Sequence, residues 1–156
     1  MRKLTVLGAL GLVVLIAVVG YWHAVDARRY AVPLPPANAS PQRVVLAYLH
    51  ALDGHDTSTA EHLVTHDNGL DLPYWLSHTA SLTNIRITGT WWDATYGRYA
   101  GGPYAHAWEI GTSFDYRYHW WIDSAGTNFP NGHQPYWGFT VVRDHGRWLI
   151  RDQGQA

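Results

Sequence analysis

The sequence predicts an α+β domain behind one apolar segment: an N-terminal transmembrane helix, then two or three helices packed on an antiparallel four-stranded sheet. Three observations predict it. Apolar residues recur at three- and four-residue intervals up to about residue 76, and at two-residue intervals from residue 82 onward. Helix-start signals stand in the first part, and Asp144-His145-Gly146 marks a hairpin turn near the end of the second. Helices first and strands afterwards is the pattern of helices gathered on one face of an antiparallel sheet.

Residues 4–22, LTVLGALGLVVLIAVVGYW, carry no charge. As a helix they extend roughly 28 Å, about the hydrocarbon thickness of a bilayer. Arg2 and Lys3 make residues 1–3 a cytoplasmic tip, so the positive-inside rule sends the rest of the chain outside. Tyr21 and Trp22 fall where amphipathic rings favour the headgroup layer. A cleaved signal peptide is the competing reading, with Val25-Asp26-Ala27 as its cleavage site. The length of the run favours a retained single-pass anchor in the cell membrane, and either reading makes the domain extracytoplasmic.

There are no cysteines, so disulfide staples and thiol chemistry are excluded. Net charge is −1, and without Arg2 and Lys3 the exported part stands near −3. It has no basic footprint for nucleic acid. Arg so outnumbers Lys that the composition reads as codon bias of a GC-rich bacterial genome.

Residues 23–40 contain Pro33, Pro35 and Pro36 and predict a semi-rigid linker, with the domain proper over 41–156. Asn38-Ala39-Ser40 is formally a glycosylation sequon, but Ser40-Pro41 reads equally as a helix cap and first helical position. Val44, Val45, Tyr48, Leu49 and Leu52 then form one apolar face, and Gly54 ends that helix. Ser58 with Glu61 is a capping box for a second helix through Leu63 and Val64. Asp71-Leu72-Pro73 opens a short third one.

In TNIRITGTWWD, Ile85, Ile87 and Trp91 share one strand phase while Asn84, Arg86 and Thr88 take the other. The long strand AHAWEIGTSFDYRYHWWI places the even positions His106 through Ile122 on the apolar side. Runs at about 134–144 and 147–153 make the closing hairpin.

Two or three leading helices, a long strand and the ending WGFTVVRDHGRWLIRDQG together resemble the NTF2-like (SnoaL/ketosteroid-isomerase-like) superfamily, in particular its small membrane-anchored extracytoplasmic bacterial members. The early hairpin that many members insert between the second and third helices is not found. The resemblance implies a curved sheet wrapped as a cone around the helices, closed by Trp137, Phe139, Val141, Trp148 and Ile150, with a pocket between helices and sheet. In that pocket Tyr48, His106, Trp108, Tyr116 and Tyr118 are the expected lining. His106, the one ionisable side chain in the apolar phase, is the candidate catalytic base. A core-edge histidine bonded to a carbonyl is the competing reading. The carboxylate base of the isomerase-type members has no match, since Asp115 falls in the polar phase.

His62 and His66 are four apart on a predicted helix, a spacing that lets two imidazoles meet one metal ion. No third ligand is specified, and no cofactor is expected. The pairs Trp91-Trp92 and Trp120-Trp121 each point one ring outward. Trp92 and Trp121 therefore form a candidate aromatic interaction patch, unless a loop covers them. These features predict a membrane-tethered binding or assembly module with envelope protein partners or self-association. A carrier or enzyme using the cone pocket, and a glycan-binding module using exposed Trp, are the alternatives.

Overall fold

The computed structural model describes residues 12–18, 29–66, 72–96, 104–119 and 131–154. A helix, α1 (12–18), is the described part of the apolar N-terminal run, and its side chains are exposed. Among the described residues no helix is long and apolar enough to cross a membrane.

α2 (Pro41–Asp53) starts where its sequence predicts, with Ser40 as cap accepting from the Arg43 N–H. Its apolar face buries Val44, Val45, Tyr48, Leu49 and Leu52. The helix stops at Gly54, whose φ of −79° any residue could adopt. The glycine is required by a close approach instead: a β-carbon there would lie 2.6 Å from the Tyr30 carbonyl oxygen. His55 takes the left-handed turn position, with φ 51°. α3 (Thr57–His62) begins earlier than Ser58 and Glu61 predict, because Asp56 is its cap and accepts the Thr59 N–H at 3.1 Å. α4 (Leu72–His78) follows.

The segment before α2 is bonded to the domain. The Tyr30 hydroxyl donates to Asp53 at 2.7 Å, and the Val32 N–H donates to Asp56 at 2.8 Å. The other oxygen of buried Asp53 accepts the Leu82 N–H at 2.8 Å. One carboxylate thus joins the chain at residue 30, the end of α2 and the sheet.

Four strands form one antiparallel meander in the order β1 (Thr79–Asp93), β2 (Ala107–Tyr118), β3 (Gly132–Asp144), β4 (Arg147–Gly154). His145 and Gly146 both have positive φ, 44° and 82°, as a two-residue type I′ turn requires. The free edge of β4 is covered. Ile150 N–H donates to Leu63 and Thr65 N–H donates to Ile150, at 2.8 and 2.9 Å.

β2 keeps the predicted even phase, with Ile110, Thr112 and Phe114 fully buried beneath the helices. β1 does not keep one phase. It has 15 residues against 12 in β2, and three register shifts each give it one unpaired residue: at Ala80, near Asn84 and at Thr88. Each bulge bends the strand and exchanges its faces. After the third, Thr90 faces α2, where Gln42 reaches its hydroxyl at 3.4 Å, and Trp92 shares that face. Trp91 turns to the opposite face. There Gly89, Gly111, Gly138 and Gly154 lie side by side across the four strands. Trp91 and Tyr136 lie over this bare row of backbone, which has no β-carbons to hold them off.

The core joins α2, α3 and the inner sheet face through Tyr48, Leu49, Leu63, Leu82, Phe139, Val141 and Ile150. Each such side chain contributes about 1.5–3 kcal/mol on full burial. Of the residues expected to close it, Phe139, Val141 and Ile150 are buried, and Trp137 and Trp148 pack against it from its rim.

Candidate functional site: an aromatic cavity under the last helix

A cavity of about 80 Å³ opens between α4 and the helix-covered face of the sheet. α4 contributes Tyr74 and Trp75, and Thr79 follows directly at the start of β1. β2 contributes Phe114, Tyr116 and Tyr118, three successive residues of its inward phase. β3 contributes Gln134 and Trp137. Those two are three apart and would face opposite ways in a regular strand. The ladder shifts between Thr112 and Phe114, which pair with Trp137 and Gln134, so β3 carries an extra residue at Pro135-Tyr136. Proline has no N–H to give the ladder, and the bulge it favours turns both side chains inward.

The walls stand steeply to one another. Trp75 and Trp137 have centroids 5.5 Å apart at 82°, and Trp75 meets Phe114 at 68°. Phe114 and Tyr116 cross at 72°, Tyr116 and Tyr118 at 65°. Of the eight described lining residues, none carries a carboxylate, imidazole or amine, and none is aliphatic. Burial raises the pKa of Tyr116, which keeps its phenol neutral. The described lining supplies aromatic rings with the hydroxyl of Thr79, the phenols of three tyrosines and the amide of Gln134.

The expected lining divides between three places. Tyr116 and Tyr118 line the cavity. Tyr48 does not: it is fully buried in the core, edge-on to Phe139 at 6.0 Å. Among the described residues its hydroxyl has no hydrogen-bond partner, and burial drives its pKa far up. His106 and Trp108 lie at the other end of the sheet, in an open groove of about 800 Å³ with Trp92, Arg143 and Trp148. His106 precedes β2, is exposed, and holds its Nδ1 3.2 Å from the Ala94 carbonyl oxygen. Trp92 packs against Trp108 at 5.1 Å and against His106 at 5.3 Å, and Arg143 lies 5.5 Å above Trp148. Trp121 lies outside the described residues.

α3 ends at His62, so His66 stands off the helix and the predicted four-residue spacing on one face is not realised. The His62 ring contacts the Ser58 carbonyl oxygen at 2.6 Å. Among the described residues no three His, Cys, Asp or Glu side chains are placed to hold a metal ion.

Two polar clusters lie on the strands. Asp115 accepts from Asn84 and pairs with His133 at 2.6 Å, and those two bonds, Asn84 first, hold its carboxyl below the usual range. Glu109 accepts the Thr140 hydroxyl at 3.1 Å. Burial raises the Glu109 pKa, with Asp93 and Asp152 adding to the effect.

Sequence spacing does not mark Trp75, Phe114 and Trp137 as cavity walls. Phe114 and Trp137 carry the pattern of ordinary core residues, and the one local signal was the proline at 135. No protein-family model, curated protein or solved structure matches the chain.

Proposed function

We propose that this chain is a membrane-anchored, extracytoplasmic binding module of NTF2-like architecture that holds a small molecule or head group in the cavity beneath α4. The observation that carries the reading is a cavity walled by six aromatic side chains at the meeting of helix and sheet. Packing for its own sake favours filling such a space, whereas a formed apolar recess with a few polar groups is the usual build of a ligand site. The absence of a carboxylate or imidazole from the described lining favours binding over proton-transfer catalysis there. The charge-free N-terminal run with its two preceding cations supports the anchor and its direction.

Native mass spectrometry of full-length protein extracted in mild detergent tests the proposal. A non-covalent adduct is expected that disappears in Trp75→Ala. Protein that carries no adduct and that shows no Trp emission change with any small organic probe would remove the reading.

A second reading is favoured by the groove around Trp92, which is 47% exposed beside Trp108 and Trp148. An envelope protein partner, or a second copy, would bury these rings. Trp92→Ser should then lower the mass of any assembly measured by light scattering, and an unchanged mass counts against it.

A further inference from the structure

We propose that the cavity beneath α4 selects a compact permanent cation, a quaternary ammonium head group, held by the faces of its aromatic walls; this deepens the binding reading above and rests on it. The choice of wall residues is the first argument. The chain has ample Leu, Val and Ile, and they fill the core, yet none is among the described residues that line the cavity. A recess meant for an alkyl chain has no need of rings, but a cation does: the negative face of an aromatic quadrupole attracts it.

Shape is the second argument. Flat aromatic ligands fit slots with parallel walls. Here Trp75 and Trp137 stand at 82°, and Tyr116 and Tyr118 at 65°, so neighbouring rings are steeply inclined and leave no parallel slot between them. A compact, rounded group suits such a recess better than a flat one. A cavity of about 80 Å³ has room for a compact group of several heavy atoms.

Hydration is the third. A primary ammonium carries three N–H donors that each want an acceptor, and the cavity wall is mostly ring carbon. A quaternary ammonium has no N–H, so it enters without leaving donors unpaired. The exported part's net charge near −3 favours approach of a cation over an anion.

The test is Trp fluorescence titration of the full-length chain in uncharged detergent with choline, its carbon isostere 3,3-dimethyl-1-butanol, and ethanolamine. Choline is expected to bind at least tenfold more tightly than either. Tyr116→Leu, at the half-exposed wall, should reduce the preference over the isostere severalfold, while Tyr116→Phe, which keeps the ring, should retain it. Equal affinity for choline and the isostere would overturn the cation proposal and leave the binding reading standing. Binding of neither would overturn the cation proposal, while the binding reading falls only if the extracted protein also carries no adduct. Choline binding unaltered by Tyr116→Leu and by Trp137→Leu, with the variants' circular dichroism intact, would place the site elsewhere and overturn the proposal.

Discussion

The indole of Trp91 occupies the space in which a β-carbon on Gly89 would stand, 2.2 Å from the ring. The same ring reaches Gly111 on the neighbouring strand, where an added β-carbon would also meet Tyr136 at 2.9 Å. A residue 51% exposed is thus held in place by backbone bared for it. The glycine row is also where β1 has just passed its third bulge, so the sheet bends where it has the fewest side chains to obstruct bending.

Two glycines should respond differently to the same substitution. In Gly89→Ala the new methyl meets the far end of an indole that can swing into solvent, so the loss should be modest, about 1 kcal/mol. In Gly54→Ala it meets the Tyr30 carbonyl oxygen, which is backbone and cannot rotate away. Gly54→Ala should cost roughly 2–3 kcal/mol and free residues 30–32 from the domain. Thermal unfolding and limited proteolysis near residue 30 check both, and a smaller loss for Gly54→Ala would contradict the packing described.

Asp53 accepts from a backbone N–H of β1 and from the Tyr30 hydroxyl. Asp53→Ala leaves a buried donor unsatisfied and should destabilise by roughly 2–3 kcal/mol. Tyr30→Phe removes one bond at a partly exposed end and should cost about 1 kcal/mol. Denaturant titration of the two variants distinguishes them; equal losses would mean that the Leu82 bond contributes nothing.

The Tyr48 hydroxyl is buried with no partner among the described residues, so Tyr48→Phe should be neutral or stabilising at pH 7. Its folded pKa is raised by burial, so ionisation favours the unfolded chain. Stability is therefore unaffected below about pH 10, the unfolded tyrosine value, and falls as pH rises beyond it. Tyr48→Phe should extend the alkaline limit measured by circular dichroism. A variant that unfolds earlier in alkali would show that the hydroxyl does have a role in the fold.

Glu109 also has a raised folded pKa, caused first by burial. Its charged form is penalised in the folded state, so its contribution is best at acid pH and is lost as pH rises above about 4.3, the unfolded value. Glu109→Gln keeps an acceptor for Thr140 and should raise the Tm at pH 7. Near pH 4 the difference from the natural chain should vanish. A pH-independent difference would assign the effect to packing rather than charge.

Local chemistry determined much of this protein. The Ser40-Pro41 start of α2, the even phase of β2 from Trp108 to Tyr118 and the hairpin turn at Asp144-His145-Gly146 all depend on neighbours in sequence, and all were legible there. Tertiary structure decided which face each later residue takes. The bulges in β1 and at Pro135 arise where strands of unequal length pair in one sheet. Each one inverts the period-two phase for everything beyond it. That is why Trp91 and Trp92 exchange faces, and why Gln134 and Trp137 meet in one cavity. It is also why rings distant in sequence, such as Trp75 and Trp137, become the walls of a site that no linear spacing announces.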